Sequence, residues 1–128
     1  KRGWYRDKYH RVGSFSTSSG YEMMNQLLND NGKQLPTFLF AENDAIAIGA
    51  LRALQEADIA VPDQISIVGF NDSKVAKYVY PPLSSIRVDT REMGRTGVSL
   101  LLDRIAYPRK ISKKISLSTE WIKRASTK

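Results

Sequence analysis

The chain has no cysteine and a single histidine in 128 residues. Without thiols there is no disulfide framework, no thiolate metal site and no thiol nucleophile. A Ser-His-Asp or Cys-His arrangement has only His10 to build on, and His10 reads as a solvated surface residue in a basic opening stretch. No serine stands in a G-x-S-x-G elbow. Neither G-x-G-x-x-G nor a Walker motif occurs, so no nucleotide and no other cofactor is implied. No apolar run approaches the ~20 residues of a membrane span, and no charged-then-apolar leader opens the sequence. These absences describe a protein that is not an enzyme, needs no metal and meets no membrane. The missing cysteines also suit a reducing cytoplasm.

What is present is a strong positive balance, +7 overall, carried unevenly. Residues 1–11 hold five Lys/Arg against one acid, and residues 109–128 hold seven against one. The body between them has eight bases and 11 acids. The basic excess therefore sits at two ends of a mildly acidic body, and no helix presents Arg, Asn and Gln together as a base-reading surface. Solvated ends explain the charge better than a DNA-reading face does.

With 41% apolar residues the chain can bury a core as one domain or part of one. Gly3 to Lys8 reads as a charged loop and Tyr9 to Phe15 as a short strand around Val12. Ser19 and Glu22 have capping-box spacing, and Met23, Met24, Leu27 and Leu28 mark the inner face of a helix that Gly32 ends. Thr37 to Ala41 reads as a strand buried on both faces. Asp44 to Asp58 reads as a helix, Ile65 to Phe70 as a second buried strand, and Lys74 to Tyr80 as a short helix stopped by Pro81-Pro82. Leu83 to Val88 is a third strand. Asp89 and Glu92 open a helix to about Ala106, with Met93, Gly97, Leu101 and Ile105 on one stripe. Ile115, Leu117, Thr119 and Trp121 alternate as a final strand. Alternating strands and helices with short connections predict an α/β fold with a mainly parallel, open sheet.

Two consecutive strands end on the same polar pair, Asn43-Asp44 and Asn71-Asp72, 28 residues apart. Either pair alone reads as a helix cap. Two at neighbouring strand ends point to a ligand crevice, which open α/β sheets place beyond the carboxyl ends of their strands. One residue of each pair is then free to cap while the other faces the crevice, offering the mixed donors and acceptors that hydroxyls require. Phe15 fits ordinary core, and equally an aromatic that stacks on the apolar face of a sugar. The helix from Asp44 has no polar residue between Ala45 and Leu51. A helix covering only a sheet shows a polar stripe along its whole length, so this one is either deeply buried or part of a subunit interface.

The runs FLFAENDAIAIGALRALQEADIAVPDQISIVGFND, YPPLSSIRVDTREMGRTGVSLLLDRI and STEWIKRAS closely resemble the lactose-repressor (LacI/GalR) family of bacterial transcription regulators. The likeness covers almost the whole chain, and Gly69-Phe70-Asn71-Asp72 is most like the galactoside-repressor branch. The resemblance implies that residues 1–128 are the C-terminal portion of the effector-binding and dimerisation domain, with a periplasmic-binding-protein-like (type I) fold. Most of the N-terminal lobe and the whole DNA-binding domain are then absent, as is the strand that would lie between the Val12 and Phe38 strands.

It further implies a sugar-responsive repressor of carbohydrate utilisation that meets operator DNA only through the full-length protein. The alternative with the same fold is a sugar-binding protein of a transport system. By motif, Phe15, Asn43 and Asn71 match effector-binding positions for a sugar or glycoside, although Asn71 stands where Asp is common. Ile48, Leu51, Tyr78, Val79 and Tyr80 match a surface on which subunits form homodimers or larger assemblies. The stripe of Met93, Leu101 and Ile105 is expected to lack its usual partner.

Overall fold

The computed structural model describes residues 6–32, 34–109 and 111–128. A 3-10 turn, Asp7–Tyr9, precedes helix α1 (Thr17–Asn31), strand β1 (Phe38–Phe40), helix α2 (Asp44–Glu56) and strand β2 (Ser66–Asn71). A second 3-10 turn, Lys74–Lys77, leads to β3 (Ser84–Arg87), α3 (Thr90–Ala106) and β4 (Glu120–Ile122). The sheet has the order β1-β2-β3-β4, with the first three strands parallel and β4 antiparallel to β3. The mainly parallel open sheet is therefore present, built from βα units in sequence order.

Two expected strands differ. Residues 10–16 form no strand, and Val12 is largely exposed; a strand needs a neighbour to pair with, and β1 forms the described edge of the sheet. The last strand covers Glu120–Ile122 alone, because β3 offers it only Ser85 to Arg87 before the chain turns into α3. Of the opening charged loop, residues 3–5 lie outside the described residues.

The first helix starts three residues before the Ser19 capping box. Ser16 is the N-cap, its hydroxyl accepting the Ser19 N–H at 3.1 Å. That start brings Gly20 against α2, where a Cβ would lie 2.2 Å from the Ile46 carbonyl oxygen. On the facing helix a Cβ at Gly49 would lie 2.0 Å from the Thr17 carbonyl oxygen. These paired glycines let the two backbones touch, and they resolve the puzzle of the apolar first half of α2. That helix is covered by the sheet on one side and by α1 on another, so Ala47, Gly49, Ala50, Leu51 and Leu54 are all buried.

Met24 and Leu27 of α1, Ala47, Leu51 and Leu54 of α2, and Ile65, Ile67 and Leu83 on the sheet side form the core. Leu39 packs on it, but Phe38 and Phe40 to either side point the other way and are each 53% exposed. The expectation of a strand buried on both faces thus fails for β1: both packed helices lie on one face, and no residue of α3 is buried. On the bare face Phe40 meets Phe70 edge-on, with ring centroids 6.4 Å apart.

Residues near the C-terminus finish the sheet in a way no sequence period announces. The Ile67 N–H donates to the Ser126 carbonyl, and the Ser126 hydroxyl donates back to the Ile67 carbonyl at 2.7 Å. The Ser84 N–H donates to the same hydroxyl at 2.8 Å. Ser126 is fully buried and so satisfies backbone groups where β2 and β3 have not yet met.

Candidate functional site

Asn43 closes the loop after β1 and is the N-cap of α2. Its Oδ1 accepts the Ile46 N–H at 2.8 Å, while its Nδ2 donates to the Phe15 carbonyl at 3.4 Å. With the oxygen committed to the cap, the amide NH2 is what Asn43 can turn to a ligand. Asp44, its neighbour, is buried at 2% exposure. One carboxylate oxygen accepts the Ser85 hydroxyl at 2.6 Å and the other accepts the Ser73 N–H. A Cβ on Gly69 would fall 2.2 Å from that carboxylate, so only glycine lets β2 pass it.

The second pair is built differently. Asn71 is exposed at the end of β2 with φ 95°, and Asp72 follows with φ 52°. Residues with side chains seldom adopt such angles, although Asn and Asp tolerate them best. The Asp72 N–H donates to Ser85 Oγ at 3.0 Å. Its carboxylate lies 2.8 Å from the Arg87 guanidinium and 2.6 Å from that of Arg124, and only 7% of the Asp72 side chain is exposed. Burial pushes this carboxyl up, but the hydrogen bonds and charges of Arg124 and Arg87 outweigh it and hold the carboxyl below its ordinary range. Arg87 also reaches Glu120 at 2.9 Å, joining β3 to β4.

The structure thus brings Phe15, Asn43 and Asn71 to the carboxyl-end edge of the sheet. Phe15 is bonded to Asn43, Asn43 precedes Asp44, and Asp44 holds Ser73 just beyond Asn71. Phe15 is 67% exposed, so its ring is open for contact rather than packed in the core. The expected division, one residue of each pair capping and the other facing a crevice, does not hold. Asn43 caps while Asp44 turns into the protein, and the turn after Asn71-Asp72 has Ser73 at its N-cap with no side-chain cap. Sequence reasoning gave no role to Ser73, Ser85, Arg87 or Arg124. The one available signal was Ser84-Ser85, two adjacent hydroxyls between Leu83 and Ile86 in the third strand.

The matched interface positions separate into two groups. Tyr78 and Tyr80 are 78% and 83% exposed, and Ile48 is partly so. The Gln55 side-chain amide donates to the Tyr80 carbonyl, fixing this segment to α2. Val79 is half-buried against the core. Leu51 is a correction: at 2% exposure it lies inside the chain, because it shares the helical stripe of Ala47 and Leu54 that faces the core.

Among the described residues no helix is long and apolar enough to cross a membrane. No group of His, Cys, Asp or Glu among them is placed to hold a metal ion.

The comparisons with known proteins agree with this α/β fold. The model of the periplasmic binding protein-like domain matches residues 3–127. The chain belongs to this family of periplasmic-binding-protein-like domains, in its LacI/GalR branch. It is similar to the HTH-type transcriptional regulator GalR of Streptococcus thermophilus, with 47% identity over all of this chain and 38% of that protein. A solved complex of the transcriptional regulator CelR with cellobiose superposes with a TM-score of 0.87 and 32% identity, over 95% of this chain and 37% of the other. The lac repressor dimer bound to operator and the anti-inducer ONPF gives 0.81 and 33%, over 90% and 39%. The chain therefore spans little more than a third of the curated relatives it matches.

Proposed function

We propose that residues 1–128 are the C-terminal portion of the effector-binding and dimerisation domain of a sugar-responsive transcriptional regulator. The regulator is a cytoplasmic repressor of carbohydrate utilisation and not an enzyme. The observation that carries this is the position of Asn43, hydrogen-bonded to Phe15, and of Asn71 at the carboxyl ends of neighbouring parallel strands, in a chain 47% identical to a transcriptional regulator. Phe15 stacks on the apolar face of a neutral sugar or glycoside, the Asn43 amide donates to a hydroxyl, and Asn71 both donates and accepts. Binding shifts the population between two arrangements of the protein and so changes its grip on operator DNA. Operator DNA is met by parts of the protein outside these residues. Subunits pair through Tyr78, Tyr80 and Ile48. The regulator names of the relatives favour this reading over a transport protein of the same fold.

The test is calorimetry on the full-length protein with galactose, lactose and cellobiose. Asn43→Ala also removes a helix cap, at about 1 kcal/mol of stability. Asn43→Asp keeps the cap oxygen and replaces the amide donor with a charged acceptor, so it spares the cap while changing what faces the ligand. Affinity should fall by about 0.5–1.5 kcal/mol, or more if a hydroxyl is left unpaired. Unchanged affinity in Asn43→Asp removes Asn43 from the site.

A further inference from the structure

We infer that Ser85 and Asp72 form a latch that aims the Asn71 side chain at the ligand, which makes them positioning residues for recognition. The inference rests on the reading of Asn71 as a ligand-facing residue. Two consecutive residues with side chains, Asn71 and Asp72, hold φ angles of 95° and 52°. Such backbone persists only where the surroundings over-determine it, and it gathers at ligand clamps.

Here three separate parts of the chain fix the turn. Ser85 of β3 accepts the Asp72 N–H at 3.0 Å and donates to Asp44 Oδ1 at 2.6 Å, so one hydroxyl ties the turn to the start of α2. The other Asp44 oxygen takes the Ser73 N–H on the far side of the turn. Arg87 and Arg124 grip the Asp72 carboxylate from β3 and from the C-terminal segment, and Arg124 is anchored in turn by an Nη1 bond of 2.7 Å to the Leu83 carbonyl. Asn71, directly before the clamped residue, stays exposed. Ser85 is fully buried, so it acts on a ligand only through the turn it holds. Asp44, Ser85 and Asp72 also join the two Asn-Asp pairs into one hydrogen-bonded unit.

The experiment is a double-mutant cycle of Ser85→Ala and Asn71→Ala in the full-length protein, titrated with galactose, lactose and cellobiose. Each single substitution should weaken binding by about tenfold, the upper end of one hydrogen bond's worth. In the Asn71→Ala background Ser85→Ala should cost no further affinity, while its effect on melting temperature stays the same in both backgrounds. An equal affinity loss in both backgrounds overturns the latch and leaves Asn71 in the site. Full affinity in Asn71→Ala, or no binding of any of the three sugars, overturns the ligand reading and the latch with it. Should Ser85→Ala not fold, amide exchange in the unsubstituted protein decides: a slowly exchanging Asp72 N–H supports the latch, and one exchanging like an open loop overturns it.

Discussion

Helices α2 and α3 both follow a strand, both start on a side-chain cap, Asn43 and Asp89, and both carry a regular apolar stripe. Yet seven of the 13 residues in α2 are buried, and none of the 17 in α3. Met93, Leu101 and Ile105 are 51%, 60% and 66% exposed, as the expectation of a stripe without a partner requires. The difference lies in the neighbours and not in the helices. In α2 the glycine pair Gly20 and Gly49 admits α1 to backbone contact while the other side lies on β2. The segment after α3 is tied back chiefly by ion pairs of Asp103 with Arg109 and Lys113, 2.6 and 3.0 Å long and partly exposed to solvent. Exposed pairs of this kind contribute little. An apolar period tells that a helix has a face to bury, and the residues opposite decide whether it is buried.

The sharpest break between the two regions should come from matched truncations. Leu54 is fully buried, and Leu54→Ala should cost about 2–5 kcal/mol. Leu101→Ala in α3 should stay within about 0.5 kcal/mol. Denaturant melts of this 128-residue chain give both values, and a similar cost at Leu101 would mean that α3 is packed after all.

Glycine-to-alanine substitutions should change sign between the helices. Gly49→Ala drives a methyl into the Thr17 carbonyl and should destabilise by about 3 kcal/mol. A Cβ on Gly94 or Gly97 meets nothing within 4 Å, so alanine there should stabilise by up to about 1 kcal/mol through helix propensity alone. Thermal unfolding reports both directions, and destabilisation at Gly97 would reveal a neighbour to α3.

Acid sharpens the same contrast. The folded Asp72 carboxyl lies below its unfolded value of about 3.9. Its contribution is complete above that value and is lost as pH falls through the folded one. Asp72→Asn should therefore cost about 1.5–3 kcal/mol at neutral pH, with the gap to the unsubstituted chain closing below about pH 4. On α3 the Asp103 carboxyl is also held low, first by the Lys113 hydrogen bond, which with the charges of Lys113 and Arg109 outweighs desolvation. The Asp103 side chain is 37% exposed against 7% for Asp72, so Asp103→Asn should move the melting temperature far less. Melts across the acid range test both, and a gap at Asp72 that widens on acidification would reverse the sign.

The smallest effect is expected where α2 ends. Ile59 N–H bonds the Leu54 carbonyl at 2.9 Å and Asp58 N–H bonds the Gln55 carbonyl at 3.1 Å, a Schellman motif with Asp58 at φ 54° in the place glycine prefers. Asp58→Gly should raise stability by about 0.5 kcal/mol. A loss would mean that the Asp58 side chain has a use beyond the turn.

Much of the architecture was legible because it rests on local chemistry. The caps at Asn43 and Asp89, the stop at Gly32 and the parallel order all follow from short-range pattern. The start of α1 did not, because a run of serines offers several caps and only the contact of Gly20 with Ile46 chooses among them. The site was half legible. Two Asn-Asp pairs at strand ends announce the candidate site, and there Asn43 is hydrogen-bonded to Phe15. The serine and arginine partners were not, since Ser85 meets Asp44 across 41 positions and Ser126 meets Ile67 across 59. No local period carries such pairings. The burial of Leu51 was readable from its spacing to Ala47 and Leu54, and the match to an interface position obscured it.

Hydrogen exchange of the full-length protein, with and without saturating galactose or lactose, tests most directly whether ligand binds at the strand ends of the packed half. Slower exchange on sugar binding should appear in peptides covering Ala41 to Ala47 and Gly69 to Ser73, which carry Asn43 and Asn71. The first half of α1, beside Phe15, should follow. Protection confined to α3, with the two Asn-Asp turns unchanged, would contradict the account.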